Sequence, residues 1–307
     1  MALYKIDKKL EHIRDVPFKL EKDIQKITEA NLNILLGLDF IKSEFALNNL
    51  RIDTLAFNNE SSSFVIIEFK NKENFSVIDQ GYAYLALMLN NKADFILEYS
   101  ESKNKSLKRG DIDWSQSKVI FISPKFSTYQ REAINFKDLP IELWEIKRFE
   151  NNTLSFEQIQ KTTAKESIKT VSKSDEITEK VNKEVIVYTE QEHINNGSPE
   201  IQELYEELKN RILNLDNNIE IKPQKLYLSF KINKTNVCDV EIQNRQLKIQ
   251  INLKKGELHD ARNIARDVSN IGHWAAGDYQ IRMGDAEDID YLVSLIRQSL
   301  NKNKNKI

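Results

Sequence analysis

Apolar positions recur at helical spacing over residues 16 to 37, at Phe18, Ile24, Ile27, Leu32, Leu35 and Leu36, with Gly37 as a stop. The period then shortens. Phe40 to Phe45 reads as a first strand. Arg51 to Phe57 and Phe64 to Lys70 are short, apolar, β-branched-rich runs separated by the polar stretch Asn58 to Ser63. They predict two strands joined as a hairpin. Ser76 to Asn90 returns to helical spacing through Val77, Ala83, Tyr84, Leu87 and Met88. Ala93 to Tyr99 is a short apolar run that reads as a strand. The order so far is α-β-β-β-α-β.

Past a polar gap at 100 to 117, Lys118 to Ser123 predicts a strand ended by Pro124. Tyr129 to Ile134 predicts a short helix and Ile141 to Phe149 a last strand of this domain, followed by Leu154 to Ile159. From 160 to 197 Lys, Glu, Ser and Thr dominate and apolar residues thin out, the composition of a charged linker in which Val185 to Tyr188 forms a short strand. Ser198 and Pro199 open a new amphipathic helix through Ile201, Leu204, Tyr205, Leu208, Ile212 and Leu215. Strands are expected at 225 to 232, 237 to 242, 247 to 253 and 279 to 283, and helices at 260 to 268 and 285 to 300. The domains are therefore 1–159, a linker 160–197, and a smaller α+β domain 198–307 behind an α/β domain.

The hairpin carries the chemistry. Closed symmetrically about its loop, it sets Leu55 opposite Ile66 and Asp53 opposite Glu68. Alternation puts Lys70 on the face of Glu68. Two carboxylates and an ammonium in one patch of an apolar hairpin are costly unless something uses them, and a divalent cation would. Cleavage of a phosphodiester needs such carboxylates to hold Mg²⁺, an aligned water, and positive charge near the developing anion. Asp53 and Glu68 supply the first requirement, the Phe69 carbonyl is a further hard oxygen between Glu68 and Lys70, and Lys70 orients water or offsets charge. Glu68 and Lys70 as a solvent-facing pair is the competing reading.

Composition narrows the field. The formal net charge of the 307 residues is -2, which excludes a uniformly basic nucleic-acid coat but not a nuclease with one basic groove. The single cysteine, Cys238, rules out an intramolecular disulfide and a cysteine zinc cluster and fits a reducing cytoplasm. No apolar run has the length of a membrane span, and Met1 to Leu10 lacks a signal core. No G-x-S-x-G serine motif occurs, and the glycines flanking His273 and Trp274 lack the Lys-Ser/Thr of a phosphate loop. That stretch reads as a structural loop. His12, His193 and His259 are scattered. Lys103, Lys105, Lys108 and Arg109 form a basic loop.

Asp53, then Glu68-x-Lys70 after a hairpin, inside this element order, resembles the PD-(D/E)XK nuclease superfamily, with Ile52 where the proline of that name stands. Within it, Glu21 to Gln25, Ser43-Glu44, Arg51 to Asp53, Ile67 to Lys70 and Gln80 to Tyr84 resemble the NucS/EndoMS-like and restriction-endonuclease-like catalytic domains, over roughly the first 100 residues. Gln80 and Tyr84 resemble the Q-x-x-x-Y motif of RecB-type nucleases. The resemblance implies a restriction-endonuclease-like αβββαβ core with a mixed sheet. It implies Mg²⁺ or Mn²⁺ on Asp53 and Glu68, a catalytic Lys70, Glu21 completing the site, Gln80 reaching it, and Tyr84 and Arg51 against the substrate. DNA is the implied partner, and such nucleases often act as homodimers. Glu29, two turns along the first helix, rivals Glu21. The second domain resembles an uncharacterised domain found behind such nucleases and sometimes labelled a predicted transport protein, through Glu203-Leu204-Tyr205, Arg266 to Ser269 and Asp288 to Tyr291. The expectation is a Mg²⁺-dependent DNA endonuclease of repair, restriction or phage defence. A catalytically silent nucleic-acid-binding or interaction module is the alternative.

Overall fold

A computed structural model describes residues 2–47, 50–71, 76–161, 166–168, 176–272 and 275–304. The chain divides into two compact units, 1–187 and 188–307.

The first unit opens with an antiparallel pair, β1 (Leu3–Ile6) and β2 (Leu10–Ile13), and a short β3 (Asp15–Val16). Then come α1 (Glu21–Ala30), α2 (Leu32–Leu36), β4 (Asp39–Leu47), β5 (Leu50–Asn58), β6 (Ser63–Phe69), α3 (Val77–Asn90) and α4 (Lys92–Lys103). They are followed by β7 (Lys118–Ser123), α5 (Thr128–Ala133), β8 (Ile141–Phe149), β9 (Leu154–Gln158) and α6 (Glu176–Glu184). The seven-stranded sheet runs β3-β8-β7-β6-β5-β4, with β9 also on β8. Strands β4, β5 and β6 are antiparallel, and β6, β7 and β8 are parallel. This is the expected α/β core with a mixed sheet.

Both faces of the sheet are covered, so β6 is buried along its whole length and reads as a continuous apolar run. On one face Ile24 and Leu32 pack with Ala56, Val65 and Ile67. On the other, Tyr82, Leu85, Met88, Phe95 and Tyr99 pack with Leu55, Phe57, Phe64 and Ile66. Helix α3 lies close to the sheet because Gly81 has no side chain, and a Cβ there would meet Ile141 Cδ1 at 2.4 Å.

Three expectations about residues 93 to 197 are corrected. Residues 93 to 99 are helical, inside α4, and the strand that continues the sheet is β7. A short apolar run does not by itself distinguish the two. Phe95 and Tyr99, four apart, are buried while Leu97 is exposed, which is helical spacing. Residues 185 to 188 are irregular. The stretch expected as a charged linker contains α6, whose Val181 and the following Val185 are buried in the first unit's core. The composition misleads because α6 buries one narrow stripe and leaves its charged residues outside.

The second unit contains α7 (Glu190–Ile194), α8 (Pro199–Leu213) and a six-stranded sheet, β10 (Glu220–Pro223), β11 (Leu228–Ile232), β12 (Thr235–Gln243), β13 (Gln246–Ile251), β14 (Arg266–Asp267) and β15 (Tyr279–Met283), and closes with α9 (Ile289–Lys304). It is the smaller α+β unit expected. The helix expected at 260 to 268 does not form. Asp260 takes the N–H groups of Arg262 at 3.2 Å and Ala265 at 2.8 Å, and Asn263 is left-handed. Such side-chain-to-backbone bonds compete with a helix. Alternate residues of β11, β12, β13 and β15 enter one core with Leu204, Leu208, Leu292 and Ile296 of the helices. No helix among the described residues is long and apolar enough to cross a membrane.

Candidate functional site

The register of β5 and β6 pairs Leu55 with Ile66 and Thr54 with Ile67, and its continuation sets Asp53 beside Glu68. The two residues interlock. The Asp53 N–H donates to Glu68 Oε1 at 3.1 Å, and the Phe69 N–H donates to Asp53 Oδ2 at 3.0 Å. Lys70 extends the parallel ladder by donating its N–H to the Ile122 carbonyl at 2.9 Å, and its Nζ lies 3.3 Å from Glu68 Oε2. Asp53, Glu68 and Lys70 are thus brought together. Glu68 is 1% exposed, on the face that carries Leu55, Phe57 and Ile66.

Burial and like charge set the electrostatics. Glu68 is pushed up to about 7, first by burial and then by the charge of Asp53, against the pull of Lys70 and of hydrogen bonds from Asp53 and Tyr84. Asp53 is also raised, mainly by burial, with Glu44 and Glu21 adding to it and the Phe69 N–H and Lys70 opposing. The Tyr84 hydroxyl is pushed up by burial and by the carboxylate to which it donates. Both acids are therefore held against their preference for water, and one ammonium offsets only part of their charge.

Helix α3 delivers Gln80 and Tyr84 from one face. Tyr84 reaches Glu68. Gln80 Oε1 is buried with no hydrogen-bond partner among the described residues. Glu21, the first residue of α1, accepts the Asn71 N–H at 2.8 Å just beyond Lys70, and its charge is felt by Asp53. Glu29 points elsewhere, since it accepts the Thr54 hydroxyl on the α1 face of the sheet. Arg51 is ion-paired with Glu44 at 2.8 Å and is largely exposed. Glu44 also accepts Lys22 Nζ at 2.6 Å. Its φ of 54° is unusual for a residue with a side chain, and its strand neighbours Ser43 and Phe45 pair with Thr54 and Ile52, on either side of Asp53. Lys105, Lys108 and Arg109 are exposed in the loop after α4. His193 is buried in the second unit with Nε2 on the Gln224 carbonyl at 2.7 Å, a structural role. His273 and Trp274 lie outside the described residues.

Gln25 falls in the Glu21 to Gln25 motif, but sequence reasoning gave it no role. It is 3% exposed and its Nε2 donates to the Asp53 carbonyl at 2.8 Å, Ser43 Oγ at 3.1 Å and Glu29 Oε1 at 2.9 Å. It holds the backbone of Asp53 from behind. The available signal was a polar residue in the apolar stripe between Ile24 and Ile27, four positions from both Glu21 and Glu29.

Among the described residues no three His, Cys, Asp or Glu side chains converge as a metal centre. A buried and a half-buried carboxylate with hard oxygens and an unpartnered amide oxygen on the neighbouring helix nevertheless form a donor set that fits a hard divalent cation.

Residues 190–303 match the family described as "Domain of unknown function (DUF5655)". An uncharacterized protein of Haemophilus influenzae is 51% identical over 291 residues, covering 95% of this chain and 96% of that protein. Three solved structures are similar at TM-scores of 0.24 to 0.25. EndoMS in a complex with double-stranded DNA is 11% identical, over 42% of this chain and 57% of that one. A repair endonuclease from Pyrococcus abyssi is 9% identical, over 43% and 60%. SfsA of Pyrococcus furiosus in complex with Ca²⁺ is 15% identical, over 51% and 74%. At TM-scores this low, the functional case rests on the chain's own residues.

Proposed function

We propose that this chain, which belongs to one family with the uncharacterized protein of Haemophilus influenzae, is a divalent-metal-dependent nuclease that hydrolyses DNA phosphodiester bonds at Asp53, Glu68 and Lys70. The observation that carries this reading is the interlocked pair itself. Asp53 donates its N–H to Glu68 Oε1 at 3.1 Å, Glu68 is buried and Asp53 half-buried, and both carboxyls are raised. A fold gains nothing from holding two acids in that condition unless a cation joins them.

Asp53, Glu68 and the Phe69 carbonyl would hold Mg²⁺ or Mn²⁺. When bound, the ion would supply Lewis acidity toward a phosphodiester oxygen and make a water more acidic. Lys70, 3.3 Å from Glu68, supplies positive charge where the phosphate becomes more negative, and holds a water for in-line approach. Gln25 and the Phe69 N–H fix Asp53 from both sides, so its oxygens do not reorient. Tyr84 holds Glu68 through its hydroxyl, and Gln80 brings an amide to the same face. Glu21 bounds the site at Asn71. Arg51, exposed at the start of β5, meets the substrate backbone.

The test is cleavage of end-labelled single-stranded, double-stranded and branched DNA with Mg²⁺ or Mn²⁺. Asp53→Asn and Glu68→Gln should each lower the rate about a hundredfold or more. Lys70→Ala should lower turnover while leaving the affinity for DNA within about threefold, as expected of a group whose interaction strengthens in the transition state. Absence of cutting by the wild-type protein on every substrate with both metals defeats the nuclease reading.

A further inference from the structure

The second unit holds a cavity of about 330 Å³ on the sheet face opposite its helices. In β12, β13 and β15 the odd-even alternation sends apolar residues to the helices and polar ones into this cavity. The polar floor is a single row across the sheet. Asp239 pairs with Gln250, Gln250 with Gln280, and Gln280 with Arg266. The first three are nearly inaccessible, at 1%, 3% and 7% exposure. A polar row withdrawn from water needs hydrogen-bond partners, and the capacity that the overlying backbone does not use is at the cavity.

The floor is fixed before any ligand arrives. Gly277 lies so close to β13 that a Cβ would sit 2.0 Å from the Ile251 carbonyl oxygen, and its φ is 92°. That approach lets its carbonyl accept Gln250 Nε2 at 3.2 Å. Gln250 Oε1 in turn accepts Gln280 Nε2 at 3.4 Å. Gln280 Oε1 has no donor among the described residues, and each amide keeps a second N–H. Asp239 is fully engaged within the protein: it accepts Ser229 Oγ at 2.7 Å, Asn236 Nδ2 at 3.0 Å and the Ala276 N–H at 2.9 Å.

The rim is basic. Arg266 and Arg282 are exposed and make no ion pair among the described residues. Lys248 is already matched by Glu241 at 2.8 Å. Arg266 stands opposite Gln280, and Arg282 is two residues further along β15 on the same face. Such a diagonal places their Cβ atoms roughly 7 Å apart, close enough for both to grip one phosphate. The buried Tyr227 lines the cavity wall and offers an aromatic surface.

From these features we propose that the second unit binds a nucleoside phosphate. The base edge meets Gln250 and Gln280, and the phosphate meets Arg266 and Arg282. Paired glutamine amides read planar donor–acceptor edges such as those of nucleobases. The volume is at the small end of ligand sites and takes one nucleotide, not a duplex. The source is either a free mononucleotide or a single base turned out of a DNA duplex. The proposal does not rest on the metal site, and its test is run in EDTA.

The full-length protein is titrated calorimetrically with the four deoxynucleoside monophosphates, with inorganic phosphate and with deoxyadenosine. A short duplex with one unpaired base and its fully paired counterpart are followed by anisotropy. We expect saturable binding of a nucleotide or of the unpaired-base duplex, weakened about tenfold in each of Arg266→Ala, Arg282→Ala and Gln280→Leu. Thermal unfolding of each variant confirms that it folds. Binding of mononucleotides assigns the free ligand. Binding of the unpaired-base duplex alone assigns the extrahelical base. Three results overturn the proposal: no binding of any probe, phosphate binding as tightly as the nucleotides, or binding unchanged in all three folded variants.

Discussion

Replacing Glu68 by glutamine should make the metal-free protein more stable, although it removes an ion pair. Glu68 is pushed from 4.5 to about 7 by burial and by Asp53. Ionising it in the folded state at pH 8 therefore costs about 3 kcal/mol relative to the unfolded chain, an order-of-magnitude figure at roughly 1.4 kcal/mol per tenfold. The substitution does not recover all of this. The attraction of Lys70 at 3.3 Å is already contained in that shift and is not subtracted again. Glutamine keeps the acceptor for the Asp53 N–H but sets an amide N–H near the ammonium, a mismatch of about 1 kcal/mol, which leaves a net gain of about 2 kcal/mol. Because the folded-state value lies above the unfolded one, the folded protein binds the proton more tightly between pH 4.5 and about 7. Wild-type stability then falls as pH rises through that window, and the glutamine variant omits this contribution. Urea unfolding followed by tryptophan fluorescence, at pH 5 to 8 in EDTA, reads both quantities. Saturating Mg²⁺ should reverse the order by stabilising the wild type alone, by about 2.7 kcal/mol at a hundred times the dissociation constant. A variant less stable than wild type at pH 8 in EDTA, or a difference that does not change with pH, would show that Lys70 already neutralises the site.

Two further outcomes follow from single contacts. Tyr84→Phe removes a donor to Glu68 and should destabilise the metal-free protein by about 1.5 kcal/mol at pH 8, where the acceptor is charged, and by less at pH 5, read by the same urea titrations. Gly277→Ala places a Cβ against the Ile251 carbonyl at a left-handed φ and should cost about 3 kcal/mol in the unfolding of the second unit, read by chemical denaturation.

The β5–β6 hairpin was legible because its information is local. Two apolar runs and a polar loop set the register, and the register alone brings Asp53 to Glu68. Gln80 and Tyr84 were legible because four residues make a helix face. Gln25 was harder to find, since its worth depends on strands 18 and 28 residues away. Glu44 is set beside Asp53 by the register of β4 on β5, which pairs Ser43 with Thr54 and Phe45 with Ile52, a strand pairing that the reading of the β5–β6 hairpin alone did not include. The polar row of the second unit was invisible for a related reason. Asp239, Gln250 and Gln280 look like solvent-facing positions of ordinary strands, and only the backbone laid over them by Gly277 makes them a floor.

The charged stretch 160–197 carries the same lesson to a measurable end, because its helix braces the site from far along the chain. Helix α6 packs on α3, and Asn182 Oδ1 accepts the Tyr82 hydroxyl at 2.8 Å across 100 residues. Lys180 reaches Asn90 at 2.7 Å, and Lys92 reaches Glu184 at 2.5 Å. Helix α3 is the element that carries Gln80 and Tyr84, so its anchoring fixes the depth at which Tyr84 meets Glu68. Val181 and Val185 are buried at 0% and 3% exposure, and two such side chains contribute about 3–5 kcal/mol. The buried hydroxyl bond adds about 1 kcal/mol. Domains of this size are stable by only about 5–15 kcal/mol. A chain ended after residue 159 should therefore be marginal or unfolded, whereas one ended after residue 187 should unfold cooperatively in urea. Within the longer chain, Asn182→Leu tests the brace without deleting it. It should leave the Tyr82 hydroxyl unpaired, cost about 1–3 kcal/mol and loosen α3, seen as faster amide exchange in residues 77 to 90. Equal stability of the two truncated chains would mean that α6 is the solvated linker its composition suggests, and that α3 holds its place against the sheet through Gly81 alone.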